Sequence, residues 1–265
     1  MHNLNSPETI KHFFYEIYRI LRDTDKKVNE IWYELKEIPF LKRLNKYELR
    51  DFLDNFDFIE TKRGNYINYI SIDKVSFVAD AIKYLEIELK KLSELLDFNG
   101  FEALIQEILL RNDYQVTKNF RFSDKSNFKS KTSQKRYEID VIGINRKYIP
   151  IIDAKQWRRK DSFSSINKAA NLQYQRVVAL KKNPEAFSKL IHKVLGSHIN
   201  IKKNLPFKLL PIMVTIEDNA KRMNENQIPI VSISKFNTFL QEYFKYLDYY
   251  KTIEISRVSI QTKLL

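Results

Sequence analysis

Acidic residues interrupt two short apolar segments of the sequence. Asp153 and Lys155 lie in the segment IPIIDAK, and Asp140 stands between Ile139 and Val141 in EIDVIGI. Residues two apart in a strand point to the same face, so Asp153 and Lys155 are expected side by side. A charge in such a strand is costly unless it is paired or binds a metal. The pattern therefore predicts a carboxylate beside an ammonium group, with a second carboxylate one strand away.

Two buried carboxylates repel each other, and a divalent cation is the usual remedy. Glu102, at the start of a helix that precedes both strands, is the third candidate ligand. Glu107 is a competing acid five residues later, on a different helix face, and Glu102 is preferred. A set of oxygen ligands of this kind suits Mg²⁺ or Mn²⁺. The sequence therefore predicts a metal site formed by Asp140, Asp153 and Glu102.

The spacing of an acid two residues before a lysine is not specific by itself. It also occurs in four polar or amphipathic segments, at Asp25, Glu34, Glu60 and Glu88. Asp153 differs because its segment is apolar and follows a second acid in another apolar segment. The alternative interpretation is structural, with Asp153 and Lys155 as a buried ion pair and Asp140 as a carboxylate at a strand end.

The order of these motifs resembles the PD-(D/E)XK nuclease superfamily, and within it the Mrr-type restriction endonucleases and archaeal Holliday-junction resolvases. The motifs that carry the resemblance are Phe101-Glu102, Leu109-Leu110, Asp113 to Val116, Glu138 to Val141, Ile152 to Lys155, and Gln173. The likeness covers roughly residues 98–247. It implies a restriction-endonuclease-like α/β fold, in which a mixed sheet is flanked by helices.

The resemblance also implies a role for each site residue. The catalytic residues would be Asp140, Asp153, Lys155, Glu102 and Gln173, and the metal ligands Asp140, Asp153, Glu102 and the Ala154 carbonyl. Glu102 would act directly or through water. Lys155 would orient or deprotonate the attacking water and stabilise charge on the phosphate, and Gln173 would position Lys155 or the substrate. Phosphodiester hydrolysis needs these functions.

Strands that alternate with helices are expected to position the site. The predicted elements are a helix at Phe101–Leu110, a strand from Tyr114, two strands at Tyr137–Ile144 and Tyr148–Lys155, helices at Ser165–Leu180 and Pro184–Leu195, a strand at Leu209–Thr215, a polar helix at Asp218–Asn226, a strand at Ile228–Val231 and a helix at Ser234–Tyr246. The two site strands are joined by three residues, which predicts an antiparallel hairpin. The whole pattern predicts an α/β sheet that is covered on both faces.

The net charge of +13 is unevenly distributed. Residues 1–92 contain 16 Lys and Arg against 16 Asp and Glu, whereas residues 93–265 contain 30 against 17. Clustered cations release counterions from a phosphate backbone, so DNA is the expected partner of the C-terminal part. A polar stretch from Lys118 to Arg136 is expected to be a mobile loop, and Trp157 leads a second basic run. The predicted nucleic-acid contacts are Lys118, Arg121, Lys125, Lys129, Lys131, Lys135, Arg136, Arg158, Arg159 and Lys160.

The N-terminal part is expected to be a separate, mainly helical module. Its predicted elements are a helix from Pro7 capped by Ser6, a helix at Lys26–Ile38 ended by Pro39, a helix capped by Asn45, and a hairpin between Phe58 and Ile70. That order is typical of a winged helix. The predicted limits are 1–72 for this module, 73–97 for a connecting helix and 98–265 for the nuclease-like domain. The neutral charge of the N-terminal part favours contacts to protein, such as a second copy of the chain.

Composition excludes several classes of protein. The absence of cysteine excludes disulfide scaffolds, thiolate catalysis and cysteine-ligated metals. No Gly-rich phosphate loop predicts a nucleotide cofactor, and no apolar run is long enough to span a membrane. We therefore expect a cytoplasmic, metal-dependent DNA endonuclease of the restriction or junction-resolving type. The alternatives are a DNA-binding protein that keeps the fold without catalysis, and an RNA-processing nuclease.

Overall fold

The computed structural model describes residues 4–63, 68–85, 89–123, 136–156, 163–196, 201–216 and 222–258. The chain divides into two compact units, residues 1–107 and 108–265. The domain limits 1–72, 73–97 and 98–265 stay a prediction. Among the described residues, no helix has the length and apolar character needed to cross a membrane.

The first unit combines short helices with a small sheet. Its elements are α1 (Pro7–Arg22), β1 (Glu30–Glu34), α2 (Pro39–Lys42), α3 (Lys46–Leu53), β2 (Ile59–Arg63), β3 (Asn68–Asp73), α4 (Lys74–Tyr84), α5 (Leu89–Ser93) and α6 (Phe98–Leu110), which crosses the boundary between the units. The described strands form an antiparallel sheet in the order β1-β3-β2. Two predicted helix starts are confirmed, because Ser6 caps α1 and Asn45 forms a capping box with Glu48 at α3.

Two predictions for the first unit are wrong. The helix predicted over Lys26–Ile38 is replaced by β1, since Trp32 and Tyr33 pair with β3 and aromatic residues suit a pleated surface. The connecting helix predicted over 73–97 is interrupted, because α4 ends at Tyr84 and the backbone of Leu85 is extended. In the segment Lys26–Ile38, strand pairing with β3 outweighs the local helix propensity.

Phenylalanine fills the core of the first unit. Phe13 and Phe14 on α1 are fully buried, and the ring centroid of Phe13 lies 5.0 Å from that of Phe52 on α3. Phe14 contacts Phe58 at 5.2 Å between centroids. Edge-to-face contacts of this kind add to the free energy gained by burying the rings.

The second unit contains the predicted α/β sheet. Its elements are β4 (Gln115–Ser123), β5 (Arg136–Ile144), β6 (Tyr148–Lys155), α7 (Phe163–Lys181), α8 (Pro184–Leu195), β7 (Phe207–Thr215), β8 (Ile230–Ser232), α9 (Ile233–Glu242) and β9 (Ile253–Ile255). In the described part of the chain they form a six-stranded sheet in the order β4-β5-β6-β7-β8, with β9 paired to β7. Strands β4 to β6 are antiparallel, whereas β6, β7 and β8 are parallel. The chain is therefore an α/β protein with a mixed sheet flanked by helices.

The main core of the second unit lies between its sheet and the helices α7 and α8. Ile142 and Ile151 from the site strands pack with Val177 and Leu180 of α7 and with Phe187 of α8. All five side chains are fully buried. This packing fixes α7 against the strands that carry the candidate carboxylates.

Two predictions for the second unit require correction. The loop expected from Lys118 to Arg136 is in part strand, because β4 continues to Ser123 and β5 begins at Arg136. Alternate side chains of β4, among them Phe120 and Phe122, are buried, which a mobile loop would not allow. The polar helix expected at Asp218–Asn226 is absent from its described residues, 222–226, where Asn224 makes turn hydrogen bonds instead.

Candidate active site

The two site strands bring Asp140 and Asp153 to adjacent positions in the sheet. β5 and β6 pair antiparallel through Val141–Ile152 and Ile142–Ile151, which confirms the predicted hairpin. The next pair in the same register is Asp140 with Asp153. At this position the Ala154 N–H donates to Asp140 Oδ2 at 2.9 Å, so a side chain accepts the hydrogen bond there.

Asp140 is a carboxylate in an unfavourable environment for its charge. Burial raises its pKa to about 6, and the nearby charge of Asp153 acts in the same direction. The Ala154 N–H, Lys155 and Arg176 oppose this rise only in part. Strongly perturbed carboxyl groups of this kind occur often at functional sites.

Asp153 is almost completely buried, with 1% of its side chain exposed, and two cations contact it. Lys155 Nζ lies 3.1 Å from both carboxylate oxygens, as their positions on one strand face predict. Arg176 Nη1 lies closer, at 2.6 Å from Oδ1. Only Oδ1 is in hydrogen-bond geometry, so Oδ2 is buried without a hydrogen bond from any described residue. Oδ2 therefore has an ion-pair contact but no hydrogen bond, and a buried oxygen of this kind can accept a further ligand.

Gln173 and Arg176 extend this cluster onto α7. Gln173 is fully buried, and its Nε2 donates to the Ile151 carbonyl at 2.9 Å. Its Oε1 accepts from Arg176 Nη1 at 3.2 Å. These two hydrogen bonds of Gln173 therefore lead to Asp153 through Arg176, and neither involves Lys155.

Arg176 is the site residue that sequence reasoning missed. Its spacing of three from Gln173 places both side chains on one side of a helix, which was a usable signal once Gln173 had been singled out. Nothing in the sequence fixed the rotation of α7 over the sheet. That rotation is what brings Arg176, rather than a neighbour on the same helix, to Asp153.

The remaining predicted ligands are placed as follows. Ala154 is fully buried on β6, between the two site residues of that strand. Glu102 is buried on α6, in the first unit, and its role as a ligand stays the prediction made from the sequence. No group of three or more His, Asp or Glu among the described residues is arranged to hold a metal ion. The candidate carboxylate ligands within the second unit are therefore Asp140 and Asp153.

The donor set passes a chemical test for Mg²⁺ or Mn²⁺. Carboxylate oxygens are the hard ligands that these ions prefer. Mg²⁺ is commonly bound by only one or two carboxylates, with water and substrate phosphate completing its octahedron. The orphaned Asp153 Oδ2 and the raised pKa of Asp140 are both features that a divalent cation would relieve. Asp140 and Asp153 are the residues that would hold it.

Only some of the predicted nucleic-acid contacts can be located. Lys118 and Arg121 lie on β4 and Arg136 at the start of β5, and Arg121 forms an exposed ion pair with Glu138 at 3.0 Å. The other predicted contacts lie outside the described residues: Lys125, Lys129, Lys131, Lys135, Arg158, Arg159 and Lys160. Dividing the sequence at the observed boundary gives 16 basic and 20 acidic residues in the first unit, and 30 and 13 in the second.

Comparison with known proteins identifies no family. No family model matches the sequence, and no curated protein matches it. One solved structure that is similar is protein VC1899 from Vibrio cholerae, at 9% identity and a TM-score of 0.31. The match covers 92% of this chain and 51% of that protein, so the chain spans about half of its length. A TM-score this low carries no argument about fold or activity.

Proposed function

We propose that the protein is a metal-dependent DNA endonuclease of the PD-(D/E)XK type, with a restriction-endonuclease-like second unit. The observation that carries the proposal is the pair of carboxylates, Asp140 and Asp153, on adjacent strands with Lys155 beside them. Burial raises the pKa of Asp140 to about 6 and the nearby charge of Asp153 adds to the rise, so ionisation of both carboxylates is unfavourable.

A bound Mg²⁺ or Mn²⁺ would neutralise charge that develops on the scissile phosphate and on the leaving oxygen. The side chains of the second unit would orient the attacking water and stabilise the remaining charge. The Lys155 side chain is 24% exposed, so it is able to reach a phosphate or a water while its ammonium contacts Asp153. In hydrolysis the water oxygen forms a bond to phosphorus and loses a proton to solvent, the bond from phosphorus to the leaving oxygen breaks, and the leaving oxygen takes up a proton from solvent. Lys155 would orient that water and stabilise the extra negative charge.

Charge supports DNA as the substrate of the second unit. Thirty basic residues against 13 acidic ones provide the field that attracts a polyanion and that weakens as salt increases. The first unit, with 20 acidic residues against 16 basic ones, is not suited to phosphate contacts. Its order of helix, strand, two helices and hairpin is compatible with a winged-helix module, and its charge favours protein contacts, including a second copy of the chain.

One observation favours a different function. Arg176 and Lys155 together balance the two carboxylates, so the cluster is neutral without any metal ion. In a non-catalytic DNA-binding protein the same residues would form a buried ion network that holds α7 to the sheet. Such a protein would not require Mg²⁺ to bind DNA and would leave the DNA intact.

A cleavage screen tests the proposal. The full chain is incubated with labelled linear duplex, single-stranded, flap and four-way-junction DNA, and with single-stranded RNA, in Mg²⁺, Mn²⁺ or EDTA. Cleavage of at least one DNA substrate in either ion, and of none in EDTA, supports the proposal. Cleavage of RNA alone would identify an RNA nuclease. Binding without cleavage of any substrate would favour the non-catalytic function.

A further inference from the structure

A chain of hydrogen bonds runs from the backbone of β6 to the Asp153 carboxylate. Gln173 Nε2 donates to the Ile151 carbonyl at 2.9 Å, and Gln173 Oε1 accepts from Arg176 Nη1 at 3.2 Å. The same nitrogen of Arg176 donates to Asp153 Oδ1 at 2.6 Å. Ile151 and Asp153 are two residues apart on β6, so these hydrogen bonds begin and end within a short stretch of one strand.

The two residues on either side of Arg176 in this series of hydrogen bonds are buried. Gln173 is fully buried and Asp153 is 1% exposed, whereas the Arg176 side chain is 27% exposed. A buried glutamine whose amide donates to a backbone carbonyl has its oxygen pointing in a fixed direction. That oxygen limits the positions that the Arg176 guanidinium can take, and the guanidinium in turn occupies Oδ1 of Asp153.

The Arg176 contact is what distinguishes the two oxygens of Asp153. Lys155 Nζ lies 3.1 Å from both of them, whereas Arg176 Nη1 contacts Oδ1, and Oδ2 accepts no hydrogen bond in good geometry from the described part of the chain. From this asymmetry, and on the basis of the proposed function, we infer that Arg176 is a positioning residue. Held by Gln173, it orients the Asp153 carboxylate so that Oδ2 is the oxygen presented to the catalytic ion.

Arg176 acts here through Asp153 and not on the substrate. Hydrogen-bonding partners of metal ligands commonly change activity by about 10- to 100-fold when they are removed. The cation of Arg176 also repels a divalent ion, so its removal should not weaken metal binding. A positioning role therefore predicts slower catalysis without weaker binding of metal or DNA. A merely structural role predicts loss of the fold and of all three together.

The test compares Arg176→Gln and Arg176→Lys with the parent. Nicking kinetics give kcat and KM for DNA, electron paramagnetic resonance gives Mn²⁺ affinity without DNA, and circular dichroism gives the melting temperature. Arg176→Gln should lower kcat by about 10- to 100-fold, with KM within threefold and Mn²⁺ affinity no weaker than in the parent. Arg176→Lys keeps the charge balance and should restore part of kcat. Arg50→Gln is the matched control, because Arg50 pairs with Asp54 at 3.7 Å on an exposed helix surface of the first unit.

The outcomes separate the inference from the proposed function. If the parent cleaves DNA and both Arg176 variants cleave at the parental rate, the positioning role is wrong and the proposed function stands. A rise in KM with kcat unchanged would make Arg176 a phosphate contact and would also overturn the inference. A parent that cleaves no nucleic acid in either ion would overturn the proposed function, and the inference with it.

Discussion

Asp140 offers a test in which stability and activity should change in opposite directions. Its pKa is raised from the ordinary value of 3.8 to about 6, first by burial and then by Asp153. The folded state therefore binds this proton more tightly than the unfolded chain does. The stability that Asp140 contributes is highest below about pH 4, falls as the pH rises to about 6, and stays low above that.

The size of the effect follows from the two pKa values. Each pH unit between them is worth about 1.4 kcal/mol, so the ionised Asp140 carboxylate costs the folded state up to about 3 kcal/mol. Solvent that reaches this partly exposed group reduces the figure. Asp140→Asn keeps the size of the side chain and an oxygen for the Ala154 N–H. It should therefore stabilise the protein at pH 7.5, by about 1 to 3 kcal/mol.

Urea denaturation in EDTA at pH 7.5 and at pH 4 provides the measurement. The gain from Asp140→Asn should be present at pH 7.5 and nearly absent at pH 4, where the parent carboxyl is already protonated. Asp248→Asn makes the same chemical change on an exposed side chain and should alter stability by less than about 0.5 kcal/mol at either pH. A variant that is less stable than the parent at pH 7.5 would refute the reasoning, since Asp140 would then be a stabilising ion-pair partner.

Three further predictions follow from the same structure. Lys155→Met should slow cleavage at least about 100-fold but leave Mn²⁺ binding intact, because an ammonium repels the ion; parallel loss of Mn²⁺ binding would contradict this role. The DNA affinity of the full chain, measured by fluorescence anisotropy, should fall by about 1,000-fold or more between 50 and 200 mM salt if the second unit contacts about six phosphates. An affinity that does not change with salt would contradict the inference of DNA binding from charge. Sedimentation should show self-association of the full chain that is lost in the fragment 93–265, and a monomer in both cases would count against protein contacts by the N-terminal part.

The sheet and its site strands could be predicted because their sequence signals are local. Two apolar segments of eight residues joined only by Asn145-Arg146-Lys147 predict an antiparallel hairpin. The two-residue period of a strand places Asp153 and Lys155 on one face. The capping residues Ser6 and Asn45 are equally local signals, and both helix starts are confirmed.

What could not be predicted depends on contacts between distant parts of the chain. Residues 30–34 form a strand because they pair with β3, about forty residues later in the chain. The sequence of the segment itself does not identify that partner. β9 at Ile253–Ile255 was missed for the same reason, since it pairs with β7. Arg176 reaches Asp153 through the packing angle of α7, which side-chain volumes in the core determine. Sequence periodicity reports which face of a helix is buried, but not what a given side chain meets there.

The most direct test of the central claim is the nicking rate of the parent, Asp140→Asn and Asp153→Asn in Mg²⁺, each with its melting temperature and DNA affinity. If the two carboxylates hold the catalytic ion, the parent cleaves in Mg²⁺ and not in EDTA. Both variants should then bind DNA as the parent does and cleave at least about 100-fold more slowly, and Asp140→Asn should do so while it is more stable than the parent. Parental cleavage by either variant, or a parent that never cleaves in Mg²⁺ or Mn²⁺, would contradict the account.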